Sequence, residues 1–393
     1  MPNDYPTLFR TYLGRRLRQM YGIVKSDDFV RSPRQQERAL RLLDYALAQP
    51  VELAATCALL LVMAPKMEMA GYRDEWALYL KNGIKVSSHF GLANARAEFE
   101  YELAILCLRQ SRFVEAEMRL AVSRSHFEQT ACDIGIAKTL NQMAYAAYLQ
   151  HQYEHAVKLA QQALAISQAD AIQATGYTVY GLIALDLADW PEAENWHRKA
   201  LQLYEQTKDS RRTAISLLNI AYALRGAKKY SESITIYEKA GSHFSNLGDV
   251  YYLAHVYMNL GIAYRNLNHI PCAIEFYAKA KAIWQSQQDT LNLARISTNG
   301  GIAYYELEEF ESAKAMFHTS IDLYKRLNDE AGRLNAIDGL AMVLLAQGRF
   351  AETIDLLEQN IAELPKIVEL PNHDYLRESM TNHLIEARNG SER

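Results

Sequence analysis

Apolar and small side chains recur along the chain at helical spacing. Leu253, Val256, Tyr257, Leu260, Gly261 and Tyr264 fall at i, i+3, i+4, i+7, i+8 and i+11, one face of an amphipathic helix. A second stripe follows after a short polar gap: Ala273, Ile274, Tyr277, Ala280 and Trp284. The pair predicts a helical hairpin, and its motif recurs. Asn259-Leu-Gly-Ile-Ala-Tyr264 is matched by Asn299-Gly-Gly-Ile-Ala-Tyr304 and, more loosely, by Asn219-Ile-Ala-Tyr-Ala-Leu224.

Three linked positions carry the repeat. A small residue stands at Ala104, Ala144, Gly181, Ala221, Gly261, Gly301 and Ala341, at intervals of 40, 37, 40, 40, 40 and 40. Nine residues later comes Phe113, Tyr153, Trp190, Tyr230, Ile270, Phe310 or Phe350. Three beyond that comes Ala116, Ala156, Ala193, Ser233, Ala273, Ala313 or Thr353. Small residues let two helix backbones approach, and the bulky residue at the turn fills the space beside them. Asp133, Asp170, Asp209, Asp249, Asp289 and Asp329 fall between units, where an aspartate accepts from free N–H groups at a helix start. One such hairpin cannot bury its own apolar face, so neighbouring hairpins must stack.

This spacing resembles the tetratricopeptide repeat, over roughly residues 93–368. Two features depart from the commonest form: the period is 40 rather than 34, and the proline that usually ends each unit is missing. The longer period is similar to repeats of bacterial signal-responsive regulators that sense peptides or partner proteins, and of some polarity and cargo adaptors. The resemblance implies an all-α fold, a right-handed superhelical solenoid of antiparallel helix pairs with about seven regular repeats. Its inner groove would be lined by the first helix of each pair.

Four regions are expected: a basic helical cap over 1–50, a degenerate repeat over 51–92, the array over 93–368, and a capping helix with tail over 369–393. Ala64 and Trp76 lie forty residues before Ala104 and Ala116, but Trp76 is too large for the small position and predicts different packing there. Pro365 and Pro371 interrupt the pattern, His373 to Ala387 reads as a helix covering the last repeat, and Asn389 to Arg393 reads as a disordered tail.

Composition narrows the function. The 393 residues are 49% hydrophobic and 22% charged, a globular balance, with a formal net charge of -4 that gives no global pull toward nucleic acid. Nine basic residues against four acidic ones put +5 in residues 1–41 and leave -9 for the remainder. That basic segment has three readings: a solvated cap, a contact for an acidic protein, or a contact for nucleic acid. The scattered Cys57, Cys107, Cys132 and Cys272 suit a reducing compartment, and with no secretory leader or membrane span in the pattern a cytoplasmic location is expected. No phosphate loop, dinucleotide turn or clustered nucleophile appears, so no enzyme activity, cofactor or metal is expected. His151-Gln-Tyr-Glu-His155 matches a zinc-protease string, but Tyr153 and Ala156 occupy repeat positions, which puts His151 in a turn.

The candidate site faces the groove. Two residues before the small residue stand Gln142, Asn219, Asn259 and Asn299, amides able both to donate to and accept from an extended backbone. The competing reading bonds them to neighbouring helices. Arg225 and Arg265, forty apart, are expected on the same inner surface as His255 and Arg295, with Tyr222 and Tyr305 adding flat contact area. Guanidiniums suit carboxylates, so a protein or peptide partner is expected, with an acidic segment or a free C-terminal carboxylate. Solvated helix faces are the plain alternative. The leading expectation is an interaction scaffold or sensor; the rival is a regulatory subunit contacting nucleic acid through residues 1–41. Self-association stays open.

Overall fold

A computed structural model describes residues 5–49, 52–70, 72–362 and 373–392, and among these the regular structure is helical throughout. The helices fall into two compact units, residues 1–250 and 251–393.

In the first unit, α1 (Tyr5–Val24), a short 3-10 turn and α2 (Pro33–Ala48) precede α3 (Leu53–Met69) and α4 (Arg73–His89). α3 is apolar on nearly every side because it lies in the middle of this group: Leu59, Leu60, Met63 and Met67 are fully buried. Trp76 on α4 is fully buried in the same cluster and stacks on Tyr79 at 5.5 Å. The regular pairs follow: α5 (Ala93–Arg109) with α6 (Phe113–Gln129), α7 (Asp133–Leu149) with α8 (Tyr153–Ile166), α9 (Asp170–Asp186) with α10 (Trp190–Gln206), and α11 (Ser210–Gly226) with α12 (Tyr230–Leu247).

The second unit holds the body of α13 (Val250–Asn266), then α14 (Ile270–Ser286), α15 (Thr290–Glu306), α16 (Phe310–Leu327), α17 (Glu330–Ala346), α18 (Phe350–Ile361) and α19 (His373–Ser391). Met380, Leu384 and Ala387 of α19 are buried, the first two packing against Leu334, Ile337 and Leu357. The tail expected beyond Asn389 is helical instead through Ser391, because Gly390 lies so close to the Phe350 ring that a Cβ there would clash with it. Pro365 and Pro371 lie outside the described residues.

The structure halves the repeat. Most helices are 17 residues long, and turns within and between pairs alike have three residues, except the two-residue turns after α12 and α16, which are 18 residues long. From α4 to α18, every turn except the one after α8 holds one residue in left-handed backbone, and these recur every twenty residues: Gly91, Ser111, Ala131 and His151, then Ala188, Lys208, Lys228, Gly248, Asn268, Gln288, Glu308, Asn328 and Gly348. Ser111 N–H bonds to Leu108 O (3.1 Å) and Arg112 N–H to Cys107 O (2.9 Å), the paired closure of a Schellman turn. The same pair closes the turns at His151, Ala188, Lys228 and Glu308. The single interval of 37 has its cause in α8, which is 14 residues long and ends at an extended Ser167 rather than a left-handed residue.

Three of the interrepeat aspartates cap as expected: Asp209, Asp289 and Asp329 accept from the N–H of Arg212, Asn292 and Gly332. Asp133 and Asp170 are instead the first residues of their helices. All seven small positions are buried.

Candidate binding groove

Within the first unit, α3, α5, α7, α9 and α11 are successive neighbours in one row. Side chains from the two ends of that row meet, since Glu68 of α3 reaches Arg211 of α11. A row whose ends touch must be the inner side of the curve, so these helices present the concave wall.

The expected amides differ in what they offer. Gln142 on α7 and Asn219 on α11 are half-buried and make no hydrogen bond with any described residue. Tyr222 is exposed, and the half-buried Arg225 lies 4.4 Å over its ring. Arg225 Nε has no hydrogen-bond partner among the described residues.

In the second unit, Asn299 on α15 is likewise half-buried and unengaged by described residues. Asn259 is not available in the same way. It is 5% exposed, and its amide nitrogen donates to the carbonyl of His255 in its own helix at 2.8 Å. Packing thus turns one rung of the expected ladder inward. His255 sits in an aromatic box, 4.8 Å from Tyr251 and 5.4 Å from Trp284, and burial pushes its pKa down to about 4, which keeps it neutral. Arg265 faces Glu306 at 3.9 Å; burial raises that carboxyl's pKa, and the arginine opposes the rise. Arg295 is exposed, and Tyr305 leans on Phe310 at 6.2 Å, a packing contact at the turn.

Two family models, each described as tetratricopeptide repeat, match residues 136–169 and 173–242. These segments are tetratricopeptide repeats. No curated protein matches the chain in sequence. Among solved structures, it is similar to a Rap protein complexed with competence and sporulation factor, at 14% identity over 85% of this chain and 99% of that one, TM-score 0.54. It is also similar to aspartyl phosphate phosphatase F from Bacillus subtilis, at 14% identity, 92% and 95% coverage, TM-score 0.54. A STAND signal-transduction ATPase with a tetratricopeptide-repeat sensor, from Pyrococcus horikoshii, shares 16% identity over 89% of this chain and 55% of that one, TM-score 0.57. Likeness at these identities is likeness of fold.

The repeats carry a charged inner surface that sequence reasoning passed over. Lys138 on α7 pairs with Glu98 on α5 and lies 4.5 Å over the Tyr101 ring. Behind this surface, the buried Glu100 on α5 accepts from Arg119 on the paired helix α6 at 2.7 Å. Glu102, in the same row, has its pKa pushed up to about 7 by burial, with Lys138 opposing and Glu98 and Glu68 adding to the rise. A signal for part of this lay in the register, because Glu98 and Lys138 are forty residues apart and so occupy equivalent positions with opposite charge.

The basic N-terminal segment forms a cleft of about 250 Å³ between α1 and α2, lined by Tyr12, Arg16, Met20, Arg38, Leu42 and Tyr45 among others. Leu8, Phe9, Tyr12 and Tyr45 are exposed around these helices. In the zinc-protease string, His151 is the left-handed turn residue and its Nδ1 lies 2.9 Å from Tyr153 Oη, while His155 is in α8. Among the described residues no helix is long and apolar enough to cross a membrane.

Proposed function

We propose that this chain is a protein-interaction scaffold whose inner helices hold an extended segment of a partner protein. The observation that carries the reading is the state of the inner-row amides. Gln142 on α7 and Asn219 on α11 are polar and part-exposed, and their side-chain amides bond to no described residue. An amide left open in this way can pair with a peptide backbone whatever its sequence. Arg225, on the same helix as Asn219, adds positive charge and favours an acidic segment or a C-terminal carboxylate. Deformation spread over many small repeat interfaces gives such a scaffold a route to report occupancy at its ends.

The test is capture of the partner from the native host, its identification, and titration of the purified segment against wild type and the Gln142→Ala/Asn219→Ala variant. Affinity lower by about a hundredfold, with unchanged helical circular dichroism, supports the reading. Equal affinity ends it. For nucleic acid at residues 1–41, the exposed apolar side chains around the basic cleft favour a protein contact, and titration with duplex and single-stranded nucleic acid at varied salt separates the two.

A further inference from the structure

The first unit closes on itself through four charges. Glu68, in the last turn of α3, has a side chain only 8% exposed. Its Oε1 lies 2.9 Å from Arg109 Nε at the end of α5. Its two oxygens also face the Arg211 guanidinium, at 3.4 Å from Nη1 and 3.5 Å from Nη2, near the outer limit of a hydrogen bond. Arg211 stands 143 residues further along the chain, at the start of α11, and its Nε donates to Asp249 at 2.8 Å. A second tie runs alongside: Arg31 donates to the carbonyls of Ser245 and Asn246 at the end of α12, a cation at the negative end of a helix.

Helices of the inner row need no such cross-link to stack, since each already packs on its neighbour. A carboxylate from the start of the unit instead occupies two guanidiniums of the concave wall. Arginine forks recognise a carboxylate by charge and by shape, and they do not distinguish a resident one from an arriving one.

We propose that Arg109 and Arg211 form a carboxylate-binding pair, that Glu68 is its internal stand-in, and that an acidic partner segment enters by displacing Glu68. The proposal rests on the groove reading above but uses different residues from the amides. Displacement exchanges one carboxylate for another, so the charge balance at the arginines is kept while the tie between α3 and α11 is released.

The probe is fluorescein-labelled hexaglutamate, read by anisotropy at low salt, with hexaglutamine as the uncharged control. Glu68→Gln is expected to bind hexaglutamate about tenfold or more tighter than wild type, with hexaglutamine unbound. Adding Arg211→Gln, or Arg109→Gln, should erase that gain. Glu68→Asp keeps the charge but shortens its reach; it should fall between wild type and Glu68→Gln, and it serves as the test if Glu68→Gln fails to fold. Two results overturn the proposal: Glu68→Gln no tighter than wild type, or a gain that survives loss of Arg211. The two readings also fail separately. If the amide variants keep full affinity while Glu68→Gln gains, the amide groove is wrong and the arginine pair stands; the reverse pattern removes the arginine pair alone.

Discussion

Replacing His197 by phenylalanine should make the protein markedly less sensitive to acid. His197 sits on α10 at a position filled by Tyr237, Tyr277 and Phe317 at forty-residue steps, and it is fully buried. Neither ring nitrogen has a hydrogen-bond partner among the described residues, and a Cβ added at Gly181 would lie 2.6 Å from Nε2. Burial pushes its pKa down to about 3 from an ordinary 6.5, with the Gly181 backbone opposing. The unfolded chain therefore binds this proton at a higher pH than the folded one. The neutral ring's contribution is complete above about pH 6.5 and is lost as the pH falls from there toward 3. The whole difference amounts to about 5 kcal/mol, of which about 2 kcal/mol is gone by pH 5. Phenylalanine fills the same site without a titrating group. Urea unfolding followed by circular dichroism at pH 7.5 and pH 5.0 should show the stability gap between His197→Phe and wild type widening by about 2 kcal/mol at the lower pH. A gap that stays constant between the two values refutes the reasoning.

Other consequences can be checked in the same way. Ala131 holds a left-handed φ of 48°, so Ala131→Gly should raise stability by about 1 kcal/mol, read as a shift in the urea midpoint. The side chain of Tyr277 lies directly over Gly261, where a Cβ would clash with the ring, so Gly261→Ala should cost about 1–3 kcal/mol. His383 Nδ1 lies 2.7 Å from Asp338, and that hydrogen bond raises its pKa against the opposing effect of burial. The protonated pair is thus complete below about pH 6.5 and lost as pH rises through the folded value, so amide protection of α19, corrected for intrinsic exchange, should be greater at pH 6 than at pH 8.5. His383→Gln should remove that dependence.

The solenoid was legible because its cause is local and repeated. Small residues, turn bulk and helix stripes recur at fixed intervals, and each repetition adds to one signal. The twenty-residue half-period was hidden, because left-handed turn positions are filled by Ser111, Ala131, His151 and Lys208, which share no side-chain signature. Backbone geometry repeats there while chemistry does not. The proposed groove was legible only in part. Register located Gln142, Asn219, Asn259 and Asn299, but whether an amide faces outward depends on a small rotation of its side chain, and Asn259 turned toward its own helix. The Glu68–Arg211 contact was beyond sequence reasoning for another reason. It depends on how tightly the first unit curls, a sum of many small interhelix angles that no single residue encodes.

The central claim is that a partner segment lies along the inner helices, and amide hydrogen exchange with and without the captured segment tests it most directly. The account expects new protection on α7 and α11, the helices bearing Gln142 and Asn219, while α8 and α12 exchange as before. Protection confined to α8 and α12, or to α1 and α2, would contradict it.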